Sequence, residues 1–492
     1  MKPPDRGSAP TSLPWRPVAT IAAAVVGVLG VVAGRYGWHR DELYFLAAGK
    51  HLSWGYIDQP PFTPAVARLA DEVAPGSLRL LRLLPALTTG LAVILGALIA
   101  RELGANRRGQ VLSALAVATG GFALGAGHLL STAATDLCAW FALLWLFTRL
   151  LRTGDGRLWV AFGGIAGLAL LNKDLVPLLA LSLLAGLVLD RRWDLLRTWW
   201  LPVGVALALL IALPNLLWQA DHGWPQTDMA RALAQRLAGE NRATLLPLQL
   251  ILIGPALAPT LGRGARWLHG HPSARPLVWA WPTGLLLTFV TAGRPYYVLP
   301  LTTVIVLAGI VATTSDPSSS SGGLRLAMAV NGVGALLVSL PVLPVAALHT
   351  VRVADLNEAA VETIGWPELV DQVAAVVDAL PTADRQHLVL LAGSYGEAGA
   401  LDLFGPDRGL PPATSPQNSY PDLRWPTDDD ATVVTIRLGR GYLEEFFDTC
   451  EAEGHVDNGL DIDNEVQGAP IFVCRGLRGT WANLKPAMRY LS

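Results

Sequence analysis

Charge is scarce in this chain. Charged side chains make up 15% of its 492 residues, against about 25% in a soluble globular protein. That shortage, with 52% apolar residues and a mean hydropathy of +0.40, disfavours a soluble multidomain enzyme. It also excludes disorder, which needs low apolar content. Cysteine is rarer still. Three residues make neither a disulfide framework nor a Cys-rich zinc module. No HExxH, GxGxxG or GxxxxGK[ST] pattern occurs, so zinc-hydrolase and nucleotide-loop signatures are missing. What is present fits a polytopic membrane protein.

The charge that does occur is unevenly placed. Residues 1–347 hold 27 Lys+Arg and 16 Asp+Glu, and residues 348–492 hold 10 and 23. This switch from basic and apolar to acidic and mixed marks a domain boundary, giving a membrane domain over 1–347 and a second domain over 348–492. Neither half has the basic footprint of a nucleic-acid binder.

A helix needs about 20 mostly apolar residues to cross a bilayer. Eleven stretches qualify as candidates, near 17–34, 83–100, 110–127, 131–149, 158–172, 174–190, 199–218, 245–262, 276–292, 296–314 and 325–347. The first lacks a convincing cleavage site and reads as an uncleaved span. Lys/Arg bias orients the set. Arg101/Arg107/Arg108, Arg149/Arg152/Arg157, Arg191/Arg192/Arg197 and Arg263/Arg266/Arg275 share one side with Lys2, Arg6 and Arg16. That side is expected to be cytoplasmic, in the plasma membrane. The odd span count then places 348–492 outside, and the Ser-rich stretch at 315–323 becomes a cytoplasmic linker. The outer domain alternates candidate strands (His387–Leu391, Ala431–Leu438, Pro470–Cys474) with candidate helices (Trp366–Leu380, Glu397–Leu403, Tyr442–Glu453, Trp481–Leu491). The pattern predicts a small α/β unit. Cys450 and Cys474 both fall in it, where an oxidising compartment allows one disulfide.

Charges in or beside spans are costly and are functional candidates by default. The first outer loop is the densest: His39-Arg40-Asp41-Glu42, Lys50-His51 and Asp58-Gln59-Pro60-Pro61. A carboxylate there can act as a general base or ligate a cation, or the loop is simply solvated. Asp136 opens the fourth span with no cation near it in sequence, and the plain alternative is a helix N-cap. His128 is a ligand or an interfacial residue. Lys173 either pairs with Asp174 or holds a phosphate. Arg294, followed by Tyr296 and Tyr297, suits a phosphate and a lipid or sugar face, or else an aromatic belt with a snorkelling Arg. The run Gly393-Ser394-Tyr395-Gly396-Glu397-Ala398-Gly399 after a strand can expose backbone N–H groups to an anion.

Taken together, the Asp41-Glu42 pair after the first span, Asp58-Gln59-Pro60-Pro61, Thr135-Asp136 and Arg294-Pro295-Tyr296-Tyr297-Val298-Leu299-Pro300 resemble bacterial membrane glycosyltransferases of the GT-C class. The nearest group is the protein O-mannosyltransferase-like, or RgtA/B/C/D-like, family, related to the aminoarabinose transferases of lipid A. The resemblance covers roughly residues 20–315. Gly365–Leu369, the Gly393–Gly399 run and Leu410-Pro411-Pro412 look like the outer domain of uncharacterised members. The resemblance implies a polyprenyl-phosphate sugar donor and an outer-face acceptor: a protein, a glycolipid or a cell-wall glycan. It implies inverting hexosyl or pentosyl transfer with Asp41 as base. Glu42 would support it or bind a metal, and Asp136 would orient the acceptor or bind a metal; a divalent cation is left open. Lys173 and Arg294 would hold the phosphate and Tyr296 and Tyr297 would line the donor groove. His51 and Asp58 are further substrate-binding candidates. The competing readings are a transporter or flippase of lipid-linked sugars and a catalytically silent scaffold.

Overall fold

The computed structural model describes residues 10–316, 321–348 and 357–492. Lys2, Arg6 and the middle of the Ser-rich linker lie outside the described residues. Every one of the eleven expected spans falls on an apolar helix or a bent helix pair. Among the described residues six helices are long and apolar enough to cross a membrane, or up to eight spans if each bent pair counts as one. Leu158–Leu170, Val176–Leu189 and Pro276–Val290 are apolar but have only 13, 14 and 15 residues, short of the ~20 that a perpendicular crossing needs.

The expected span at 245–262 departs most. Pro225–Ile253 and Pro255–Gly270 meet there at 89°. Gly254 adopts φ 97°, and Pro255 has no N–H with which to continue the ladder. The expected span at 110–127 is likewise bent, by 55° between Arg107–Ala118 and Gly121–His128.

The chain packs as two units. The helical unit contains residues up to Ala33, Arg82–Trp224 and Leu233–Leu340. Its helices approach closely where side chains are absent. A Cβ on Gly163 would strike the Gly204 backbone, and one on Gly264 would strike that of Ile305. Such contacts suit a membrane, where packing rather than water exclusion draws helices together.

The second unit contains Gly34–Leu81, Pro225–Ala232 and Pro341–Ser492. The first outer loop thus packs with the C-terminal segment, which a linear division at 347/348 does not convey. Its sheet has β1 (Leu388–Ala392), β2 (Ala413–Thr414), β3 (Thr432–Ile436), β4 (Phe447–His455) and β5 (Pro470–Leu477) in the order β2-β1-β3-β5-β4. β1 is parallel to β2 and β3, and β5 is antiparallel to β3 and β4. All five residues of β3 are buried, as expected for a strand covered on both faces. Val433, Phe447, Trp481 and Met488 join one apolar core.

The three expected strands and the helices beginning at Trp366, near Glu397 and at Trp481 are present. The expected helix Tyr442–Glu453 is wrong in its second half: it ends at Phe446, and β4 follows. The helix-favouring Glu451-Ala452-Glu453 run yields to pairing with β5, because strand preference is set by neighbours more than by residue type. Cys450 then stands opposite Cys474, and the two form a disulfide.

Candidate active site

Asp41 sits in the first turn of the helix Arg40–Gly49. His39 caps that helix, its Nδ1 accepting the Asp41 N–H at 3.2 Å. Glu42 completes the capping box by accepting the His39 N–H at 2.9 Å. A ring that accepts at Nδ1 carries its proton at Nε2, and His39 Nε2 lies 3.0 Å from Glu362 Oε2. Glu42 is fully buried and committed to the cap, so its place beside Asp41 is explained by helix initiation. Among the described residues no three His, Cys, Asp or Glu side chains converge to hold a cation.

Around this helix start lies a chain of ion pairs. Arg40 reaches Glu465 at 2.6 Å and Glu362 at 3.3 Å. Arg437 reaches Glu397 at 2.6 Å and Glu465 at 3.6 Å. Glu397 belongs to the Gly393–Gly399 run. There Ser394 caps the helix Tyr395–Phe404, and the Glu397 side chain folds back onto the Ser394 N–H. The glycines serve close packing: a Cβ on Gly396 would strike Arg40, and one on Gly399 would strike Leu43. The anion cradle anticipated for this run is thus filled by the chain's own carboxylate.

Two phenols bridge the carboxylates of this unit. Tyr395 Oη donates to Asp41 Oδ1 at 2.9 Å, and Tyr44 Oη donates to Asp58 Oδ1 at 2.8 Å. The two rings stack with centroids 4.8 Å apart. Asn418 donates to Asp58 Oδ2 at 3.3 Å. Burial pushes the Asp58 carboxyl up to about 6, against the opposing pull of the Tyr44 and Asn418 hydrogen bonds. His51 lies exposed past the C-terminal end of the helix, roughly 15 Å along the axis from Asp41.

The helical unit holds the second group of candidates. Ser131, not Asp136, caps the helix Thr132–Thr153. Asp136 is therefore one turn inside, buried, with Oδ1 making no hydrogen bond among the described residues. Asn172 donates to the Thr132 carbonyl at 2.9 Å, tying the Asn172–Lys173 turn to the start of that helix. Lys173 acts on Asp136 through its charge. No ion pair joins Lys173 to Asp174. Lys173 Nζ instead donates to Tyr296 Oη at 3.1 Å and lies 4.9 Å from the ring centroids of both Tyr296 and Tyr297.

The Tyr296 turn is braced from behind. Gln249 donates to the Pro295 carbonyl at 2.6 Å, and Asn241 donates to the Ala292 carbonyl at 2.8 Å. Arg294 is exposed, with no ion pair among the described residues. Phe122 stacks on Tyr296 at 5.0 Å and also lines a small apolar cleft, together with Leu137, Phe141, Leu252 and Leu299. His128 is buried beside Arg82, its Nε2 3.3 Å from the guanidinium.

Within each unit the structure thus brings together candidates distant in sequence: Asp41 and Asp58 through two tyrosines, and Asp136 and Lys173 with Tyr296 and Tyr297. Tyr44, Tyr395, Phe122 and Gln249 were not singled out individually from the sequence. Each is an aromatic or amide in an apolar stretch, and only the pairing across the chain reveals its role.

The model of the family described as dolichyl-phosphate-mannose-protein mannosyltransferase matches residues 58–218, which include Asp58, Asp136 and Lys173 but not Asp41 or the Arg294–Tyr297 turn. No curated protein sequence matches the chain. Among solved structures, ArnT from Cupriavidus metallidurans bound to undecaprenyl phosphate aligns with a TM-score of 0.60 at 16% identity, over 92% of this chain and 97% of that one. The same protein in the apo state gives 0.58 at 16% identity, over 93% and 97%. The expected fold, helical and polytopic with a small C-terminal α/β region, is borne out, and with it the resemblance to mannosyltransferase-like membrane glycosyltransferases of the GT-C class.

Proposed function

We propose that this chain, with its GT-C fold, is a glycosyltransferase that moves a hexosyl or pentosyl group from a polyprenyl-phosphate donor to an acceptor at the outer face of the plasma membrane. One observation carries the reading: Lys173 lies against two phenol rings and makes no ion pair among the described residues, and Phe122 joins its tyrosine to a small apolar cleft. A cation beside an apolar cleft matches an amphiphile with an anionic head and a hydrocarbon tail. ArnT, whose fold this chain shares, binds undecaprenyl phosphate. The Lys/Arg bias supports an outer location for the Asp41 loop.

In this reading an acceptor hydroxyl or amine gives its proton to Asp41. The acceptor atom bonds to the anomeric carbon from the face opposite the phosphate. The bond from that carbon to the phosphate oxygen breaks, and the polyprenyl phosphate leaves with the electron pair. Lys173 and Arg294 stabilise the charge on the departing phosphate. Asp136 orients the acceptor, and Tyr296 and Tyr297 line the donor groove. A phosphate leaving group and a single base require no covalent nucleophile.

The test is consumption of radiolabelled undecaprenyl-phosphate mannose, glucose and aminoarabinose by the detergent-purified protein, with cell-envelope extract supplied as acceptor. Transfer by the wild type should fall by about 10²–10⁴-fold in Asp41→Asn, with the variant equally folded. Full activity in the variant would move the base elsewhere. Consumption of no donor by folded wild type would sink the transferase reading, and flux of the same lipids across sealed vesicles would then be measured.

A further inference from the structure

We propose that Tyr395, from the C-terminal segment, is a positioning residue for Asp41: its phenol holds the carboxylate in the orientation from which it accepts the acceptor's proton. The inference rests on the reading of Asp41 as the base.

The geometry leaves the phenol little choice of partner. Tyr395 opens its helix at the position after the Ser394 cap, and its backbone N–H donates to Gln417 Oε1 at 2.9 Å. Its ring is stacked on Tyr44, with the Arg40 guanidinium 5.9 Å from its centroid. The residue is 9% exposed, and its hydroxyl is 2.9 Å from Asp41 Oδ1. Gly396 and Gly399 let the Tyr395 helix press on Arg40 and Leu43, so the phenol and the carboxylate sit on two elements locked in register. Burial and the Asp41 charge push the Tyr395 phenol well above its ordinary range. It therefore stays protonated and donates to the Asp41 carboxylate.

A donor on one carboxylate oxygen does two things. It fixes the rotamer of a side chain that is 34% exposed and would otherwise sample several staggered wells. It also stabilises the charged form, so Asp41 remains an acceptor to lower pH. Other groups facing Asp41 include His39 and Arg40 from its own helix start, with Asp58 and Glu465. Tyr395 donates to the Asp41 carboxylate from a distant part of the chain, 354 residues away.

The experiment compares wild type, Tyr395→Phe and Asp41→Asn as full-length protein in detergent, using whichever of the three undecaprenyl-phosphate sugars is consumed. Tyr395→Phe keeps the ring and its stacking and removes the donor alone. Its melting temperature and donor KM should match wild type, and kcat should fall about tenfold. The acid limb of the kcat–pH profile should move up by roughly 1 pH unit, the size expected for losing a hydrogen bond to a charged group. Asp41→Asn dead with Tyr395→Phe unchanged in kcat and pH profile would overturn this inference alone. A Tyr395→Phe protein that loses activity together with its melting temperature, its acid limb unmoved, would make Tyr395 structural and also overturn it. An active Asp41→Asn would remove the base assignment, and this inference with it.

Discussion

In the unit that carries the sheet, Arg40 and Arg437 are surrounded by Glu362, Glu397 and Glu465 at ion-pair distance. In the helical unit, Lys173 meets two phenol rings and one hydroxyl, while the buried Asp136 makes no ion pair among the described residues. The first arrangement is closed. Each arginine is paired with carboxylates, and the effect is to lock the Arg40 and Tyr395 helices together. The second is open, since a half-buried ammonium flanked by aromatic faces still has an attraction to offer an anion. Charges that satisfy each other hold shape, and charges left incomplete mark where a ligand belongs.

The largest effect should come from opening the closed side. Arg437→Met would strand Glu397, which is fully buried. Removing one partner of such a pair costs about 3–5 kcal/mol, or a drop in melting temperature on the order of 10 °C for a unit of this size. Donor KM in the surviving folded protein should change little. A variant with wild-type stability would mean that the network is not closed by this pair.

Lys173→Met should do the reverse. The melting temperature should fall much less than in Arg437→Met, because Lys173 makes no ion pair among the described residues and acts on Asp136 only through its charge. Affinity for undecaprenyl phosphate, read as competitive inhibition of transfer, should weaken about 10- to 100-fold, as expected for a charged hydrogen bond lost to a phosphate. Unchanged inhibition would place the phosphate elsewhere and erase the contrast between the two units.

How much of this was legible beforehand follows from the same contrast. The apolar helices could be read because hydropathy is local, and all eleven expected segments fall on apolar helices or bent pairs. The break at Gly254-Pro255 carried its own signal in the dipeptide but was outweighed by the apolar run around it. β4 was missed because its partner, β5, lies 15 residues beyond its end and the local Glu-Ala-Glu favours a helix. Among the candidate site residues, the helix-capping role of Glu42 is written in the His-x-x-Glu spacing, yet a carboxylate next to a proposed base reads first as chemistry. Tyr395 and Tyr44 could not be read at all. A tyrosine at the start of a helix is unremarkable until Asp41, hundreds of residues away, is folded against it.

The finest test concerns Asp58, a carboxylate in the closed unit that two neutral donors hold without a cation. Its folded-state value of about 6 lies above the ordinary 3.8, so the folded protein binds this proton more tightly than the unfolded chain does. Below pH ~4 both states are protonated and Asp58 contributes no difference. As pH rises from ~4 to ~6 the unfolded chain ionises first, and stability falls; above ~6 the loss is complete and constant. Its size should be about 1–2 kcal/mol, since partial contact with water screens the burial. Asp58→Asn keeps an acceptor for the Tyr44 hydroxyl and has no proton to lose. Melting temperatures taken from pH 4 to pH 7 should therefore show the wild type falling relative to the variant across that window. Parallel curves would mean that Asp58 is already ionised at pH 4, and that a cation or water satisfies it as Arg40 satisfies Glu362.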